Sequence, residues 1–477
     1  MTLGASRITL KIFAALALIL AWTLLVRPHF SLALHSDSLY IDDLWRSFFD
    51  GRGLKAWSLP PGPSFIPDLP LYALSTLAGQ DLGLRHALYA LLQAALIWAG
   101  LALCARRYFV LAWPEAMLGA LTGLSFFVLL LTDQSGLSDL FQPTHHGGSV
   151  AAMLWILALA PDRERPGYFA LALWALALAC LIFSDKSLLA WAILPLMVMQ
   201  AMQGRLYAKW VVAVLLGLGI ASLAATWMRE HGGPRVSSFN TEYFLQHVPE
   251  LLRGGFGSLA DSLKAAPALG LIALLWFGWV SWQAGAGLAC FFLLSALSTV
   301  FLGALVGGIS GRHLFPLYFS PAAFLPLWLF QRVRGAGPIL ALTCLACMAL
   351  LCASMGLPSL DALRAPYPSE VSALEDALGR PDQVSGYAEY WQCRRFRMLS
   401  RRGLWLDPAG TELSADGRLK NYFFISNSAM RPTPHFYVIM KGLEPKGVEK
   451  AFGKPQLEQD IGGFEVWFYR PDRDLKL

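Results

Sequence analysis

Long apolar runs alternate with short polar breaks from residue 1 to about Gly356, and there the pattern stops. Ile8–Val26, Leu88–Cys104 and Trp210–Thr226 each approach the ~20 residues that a helix needs to cross hydrocarbon. Backbone polar groups in lipid must be satisfied within the segment, which makes helices the expected spanning element. The pattern predicts spans near 10–27, 85–104, 114–132, 148–160, 168–183, 188–202, 210–227, 266–280, 288–306, 314–330 and 338–356, about eleven in all. Residues 357–477 read differently. Glu370–Leu378 and Tyr387–Leu399 have helical character, while Phe423–Ser426, Phe436–Met440 and Phe464–Tyr469 are β-rich and bounded by Gly, Pro or Asn. The expected fold is an α-helical polytopic membrane module, 1–356, followed by a small α/β or α+β soluble domain, 357–477.

Composition agrees: 56% of residues are hydrophobic and 15% charged, against roughly 25% charged in a soluble domain. The net charge of +6 does not point to nucleic acid, because much of the basic charge lies in short loops, where it sets topology. Arg7 and Lys11 precede the first apolar run, and no small-residue cleavage site follows before Arg27-Pro28-His29-Phe30. This is the expectation for an uncleaved first span. Arg106, Arg107, Arg163, Arg165, Arg205, Lys209, Arg332 and Arg334 crowd the short connections of one face, assigned as cytoplasmic. The opposite face carries the long connections, and an odd number of spans sends the soluble domain to that side. Six cysteines lie in or beside apolar runs, and Cys344-x-x-Cys347 reads as small apolar filling rather than a metal or redox pair.

Chemistry is therefore expected on the exported face. In the first exported loop Ile41, Leu44, Trp45, Phe48 and Phe49 recur at three- and four-residue steps, giving one apolar face of a short interfacial helix. Asp42, Asp43, Arg46 and Asp50 fall largely off that face, where a solvated stripe is expected. Asp37 sits at the helix start, either as an N-cap or as a reactive carboxylate. Three further constellations stand out. Phe183-Ser184-Asp185-Lys186-Ser187 places charge at membrane depth, which is costly and points to function. Gly307-Gly308-Ile309-Ser310-Gly311-Arg312-His313 combines a close-approach backbone with a phosphate-binding fork. Asp139, His145 and His146 precede the fourth run and suit the lining of a cavity better than a metal, since they lack ligand spacing.

Taken in order, the acidic helix after the first span, Pro70-Leu71-Tyr72, the short Lys186 loop and the Gly-rich Arg312-His313 segment resemble the GT-C superfamily of membrane glycosyltransferases. The bacterial members related to protein O-mannosyltransferases and lipid A aminoarabinose transferases are similar. The resemblance covers roughly residues 10–356 and departs at Ser38, where the family often has Glu, and at Ser187, where it has Gly. It implies a polyprenyl-phosphate-sugar donor, a glycan, lipid or protein acceptor, and a periplasmic site in a bacterial inner membrane. By position it implies Asp37 as base with Asp42 in reserve, and Lys186, Arg312 and His313 on the donor phosphate. Asp43, Tyr72, Asp139, His145, His146 and Asp185 would line the substrate cavity. No cofactor is expected, although a diphosphate donor would bring in a divalent cation. Two other classes fit the same pattern: a flippase for lipid-linked sugars, and a non-catalytic scaffold that displays the C-terminal domain.

Overall fold

The computed structural model describes residues 3–26, 34–49, 57–59, 62–131, 140–144, 146–160, 167–204, 208–230, 248–250, 267–276, 286–305, 315–333, 335–355, 366–378, 385–413, 419–421, 426–427 and 434–470, with isolated positions between them. The helical part runs α1 (Leu3–Val26), α2 (Ser36–Phe49), α3 (Asp68–Ser75), α4 (Leu82–Tyr108), α5 (Trp113–Leu130), α6 (Gly147–Leu159), α7 (Tyr168–Ser184), α8 (Leu194–Met202), α9 (Ala208–Glu230), α10 (Pro267–Leu275), α11 (Ala286–Leu305), α12 (Phe315–Arg332) and α13 (Ala336–Met355). A π-helical turn, Leu189–Ile193, leads into α8.

Every apolar run contributes helix, but the expected count of about eleven spans is not carried by the structure. Among the described residues five helices are long and apolar enough to cross a membrane: those at Ile8–Leu25, Leu82–Tyr108, Trp113–Leu130, Ala208–Trp227 and Ala336–Met355. The reason is partly length. At 1.5 Å per residue, the 13 residues of α6 reach only ~20 Å of a core ~30 Å thick. Burial is the other part. In α6 Val150, Ala151, Met153, Leu154, Ile156 and Leu157 are all buried inside the protein. A helix enclosed by other helices is apolar all round without touching lipid. The helix α12 carries Pro321 and Pro326 in its interior and packs on α5. There a Cβ on Gly123 would lie 2.2 Å from the Ala323 carbonyl oxygen, so backbone meets backbone, as small residues allow between membrane helices.

The C-terminal part adds α14 (Ser369–Leu378), α15 (Tyr390–Leu399) and α16 (Pro445–Phe452). Its sheet has six strands in the order β4-β3-β2-β6-β8-β7: β2 (Ser385–Glu389), β3 (Trp405–Leu413), β4 (Leu419–Asn421), β6 (Tyr437–Ile439), β7 (Leu457–Ile461) and β8 (Phe464–Phe468). Central β2 runs parallel to β3 and β6, and the remaining pairs are antiparallel. The helix expected over Tyr387–Leu399 is thus half right. Its first residues form β2, whose five positions are all buried, and the helix begins at Tyr390. The strand expected at Phe423–Ser426 lies mostly outside the described residues; β5 (Ser426–Asn427) pairs with β1 (Trp57–Ser58), in the loop after α2.

That pairing belongs to a wider seam. Leu34, Leu39 and Leu82 of the helical module share one core with Val371, Leu374, Phe396 and Leu406 of the C-terminal domain. A second cluster joins Tyr40, Leu44, Trp57 and Leu59 to Tyr390. The helix α2 is therefore enclosed between the domain and the bundle, which overturns the expected solvated stripe. Asp42 and Asp43 are both buried, whereas Phe48 and Phe49 are exposed.

Candidate active site

Four carboxylates lie along the seam, and their partners divide them. Asp42 is held by Arg46 Nε at 2.7 Å and Arg85 Nη1 at 3.2 Å, and it accepts a hydrogen bond from the Tyr72 hydroxyl. Asp43 accepts from Arg394 Nε at 3.2 Å and from Arg397, both on α15. Charge-assisted contacts of this kind hold a carboxylate tightly and occupy the oxygens that a proton would need. Asp42, the reserve base, is thus tied into an arginine network, and Tyr72 serves that network.

Among the described residues, neutral donors reach the carboxylates of Asp37 and Asp68. The Tyr390 hydroxyl donates to Asp37 Oδ1 at 2.5 Å. Asp68 Oδ1 accepts the Tyr89 hydroxyl at 2.5 Å and the Thr144 backbone N–H at 3.1 Å. Thr144 joins the two, since its hydroxyl donates to the Asp37 carbonyl at 2.6 Å. This threonine sits at φ 68°. For a β-branched residue that left-handed conformation costs about 1–3 kcal/mol and persists only where the surroundings fix it. Here both its N–H and its O–H are used.

Asp185 and His146 complete the cluster. His146 Nδ1 lies 2.6 Å from Asp185 Oδ2, which also accepts the Ser149 hydroxyl at 2.5 Å. Asp185 Oδ1 accepts the Ser187 N–H at 2.9 Å. His146 precedes α6 in a left-handed turn, φ 64°, a conformation in which His is enriched, and so turns its ring toward α7. The segment before α3 is stitched to the same place: Ser64 N–H donates to the Ser184 carbonyl at 2.9 Å, and Ile66 N–H to Ser184 Oγ at 2.7 Å. At the start of α6, a Cβ on Gly148 would fall 2.3 Å from Asp68 Oδ2. Only glycine lets this backbone approach that carboxylate.

Electrostatics separate Asp68 from Asp185. Burial pushes the Asp68 carboxyl up to about 6, with the Tyr89 and Thr144 bonds pulling the other way. Burial pushes Asp185 up as well, but the His146 charge and the hydrogen bonds from His146 and Ser149 outweigh it, leaving its carboxyl well below the usual range. One carboxyl is thus poised near neutral pH, while the other is a fixed anion beside an imidazole.

Compared with known proteins, the chain matches no family model, no curated protein and no solved structure. The site therefore stands on its own residues. The structure brings Asp37, Asp185 and His146 into one region and places Lys186 in the turn after α7, exposed while its neighbour Asp185 is buried. It sets Asp42, Asp43 and Tyr72 in the arginine networks alongside. Arg312, His313, Asp139 and His145 lie outside the described residues. Among the described residues, no three His, Cys, Asp or Glu side chains gather as a metal would need.

Sequence reasoning missed Asp68, Thr144 and the domain residues Arg394 and Arg397. Asp68 carried a signal: a carboxylate between Pro67 and Pro70 in an otherwise apolar stretch. The others had none, because their partners lie far along the chain.

Proposed function

We propose that this protein is a membrane glycosyltransferase that moves a sugar from a polyprenyl-phosphate carrier to a glycan, lipid or protein acceptor. The observation that carries the reading is the convergence of Asp37, Asp68, Thr144, His146 and Asp185, from separate stretches of chain, on one polar cluster against an apolar helical bundle. Polar groups held at that junction suit a substrate with a charged head and an apolar tail.

In the reaction, the acceptor hydroxyl gives its proton to a carboxylate and its oxygen attacks the anomeric carbon. The bond from that carbon to the phosphate oxygen breaks, and the phosphate leaves with the electron pair, so the anomeric centre inverts. Asp37 is assigned as the base, a role that requires it to lie within hydrogen-bond reach of the acceptor hydroxyl. Lys186, exposed at the rim, and Arg312 with His313 are assigned to the phosphate, where cations stabilise growing negative charge. A leaving monophosphate held by two cations needs no metal ion. The membrane is assigned as a bacterial inner membrane, with the C-terminal domain and the site on the periplasmic side, because a lipid-borne donor is what such a site needs away from cytoplasmic nucleotide sugars.

Native mass spectrometry with undecaprenyl phosphate tests the donor assignment. The wild-type protein should retain the lipid phosphate, and Lys186→Ala and Arg312→Ala should each weaken binding about tenfold or more. Equal retention by all three proteins contradicts it. Carrier translocation without sugar transfer in proteoliposomes would favour a flippase.

A further inference from the structure

Resting on the transferase reading, we propose that Tyr390 is a positioning residue for Asp37, so that the C-terminal domain supplies part of the transfer site. Two helix N-termini meet at this point. The helix α2 begins at Ser36 and α15 at Tyr390. Side chains from each reach the other. Tyr390 Oη donates to Asp37 Oδ1 at 2.5 Å, and Ser36 Oγ donates back to the Tyr390 carbonyl. Arg394, one turn further along α15, donates through Nη1 to the Ser36 carbonyl at 2.6 Å and through Nε to Asp43 at 3.2 Å. The Glu389 carboxylate caps α15 by accepting the Trp391 N–H at 2.9 Å.

The tyrosine is fixed at both ends. Its ring packs with Tyr40, Leu44, Trp57 and Leu59 and meets Trp391 edge-on, with centroids 5.1 Å apart. Its backbone carbonyl also accepts the Cys393 thiol at 3.2 Å. The phenol held this way donates to the Asp37 carboxylate, with the Arg394 guanidinium beside it. Burial, then the Asp37 charge, raise the phenol far above its ordinary range, so it stays protonated and remains a donor. A carboxylate on a short side chain can rotate, and one strong fixed donor restricts it to a single orientation. A base must meet its proton within hydrogen-bond distance, and a misplacement of about 1 Å can cost roughly a hundredfold in rate.

A merely adhesive role predicts something else. The seam already holds Arg394, Arg397, Ser36 and the β1–β5 pair. Removing one hydroxyl would then loosen the domain slightly and leave Asp37 as it was.

The test is Tyr390→Phe in the full-length protein, which keeps the ring and deletes only the donor. Two measurements are made. The first is the rate at which dicyclohexylcarbodiimide modifies Asp37, followed by peptide mass spectrometry, which requires no transfer activity. Freed of its donor, Asp37 should react roughly tenfold faster, while modification of Asp376, exposed on α14, should not change. The second is sugar transfer: kcat should fall about ten- to a hundredfold with KM for the lipid donor unchanged. An unchanged Asp37 rate overturns the positioning contact. A faster Asp37 rate with unchanged kcat overturns its role in transfer. A faster Asp37 rate in Tyr390→Phe, together with a wild-type protein that moves no sugar, keeps the contact and removes the transferase reading instead. Arg397→Lys is the control for domain docking, since it weakens the seam at Asp43.

Discussion

Two carboxylate regions sit side by side on this molecule and are held in opposite ways. In one, arginines grip the middle of α2: Arg46 and Arg85 on Asp42, Arg394 and Arg397 on Asp43. In the other, the phenols of Tyr390 and Tyr89 and the Thr144 backbone N–H donate to Asp37 and Asp68. Buried charges need compensation in both, but the form of it decides what the group does next. A carboxylate locked to a guanidinium is a fixed charge that fastens one element to another. A carboxylate held by neutral donors keeps its ability to take up a proton. Asp43 thus fastens the C-terminal domain to α2 and Asp42 fastens α2 to α4, and the proposed reaction is left to the carboxylates at the helix start and at Asp68.

The comparison breaks most readily at its fastened end. Arg394→Ala removes a buried guanidinium that serves both Asp43 and the Ser36 carbonyl. It should cost about 3 kcal/mol or more, the penalty for leaving a buried charge and a carbonyl short of donors. Thermal unfolding of the purified protein in detergent reads this; a loss under ~0.5 kcal/mol, the size of an ordinary surface change, would show that the clamp is idle.

Asp68 sharpens the contrast through pH. Its folded value of about 6 lies above the ordinary 3.8. Between those values the native state holds a proton that the unfolded chain has released, so this residue's relative contribution is greatest below about pH 4 and is lost as pH rises through about 6. The full difference is on the order of 3 kcal/mol. Asp68→Asn should therefore flatten the stability profile between those limits, and a profile parallel to wild type would sink the assignment.

His146→Ala tests the fixed pair. It strips Asp185 of its imidazole partner while Ser149 and Ser187 remain, which should cost about 2 kcal/mol, measured again by unfolding. The smallest stability effect belongs to Lys186→Ala, at most ~0.5 kcal/mol, because the side chain is exposed. Sugar transfer and lipid-phosphate retention should nevertheless fall. A lysine variant that loses stability but keeps both activities would reverse its role from ligand contact to structural anchor.

Much of this arrangement was legible in the sequence, and the limits have physical causes. Three- and four-residue spacing exposed α2, and the cost of charge near apolar runs drew attention to Asp185 and Lys186. Periodicity could not say what α2 faces. Ile41, Leu44 and Trp45 pack as an apolar face should, but on the supposed solvated stripe Asp43 is covered by α15, more than 340 residues away, and Asp42 by Arg85 and Tyr72. Hydropathy likewise reports removal from water rather than contact with lipid. That is why α6, enclosed by other helices, reads like a span that its 13 residues do not fill. The end of β2 reads as part of the helix that follows it, because Tyr387-Ala388-Glu389 runs into α15 with no Gly, Pro or Asn between them.

The most direct measurement is sugar transfer by the purified protein in proteoliposomes. Radiolabelled polyprenyl-phosphate hexoses and pentoses serve as donors and a total envelope extract as acceptor, with wild type compared against Asp37→Asn. The account predicts transfer by the wild-type protein and a loss of about a hundredfold or more in Asp37→Asn, with the variant still binding undecaprenyl phosphate. Transfer at the wild-type rate by Asp37→Asn would contradict it.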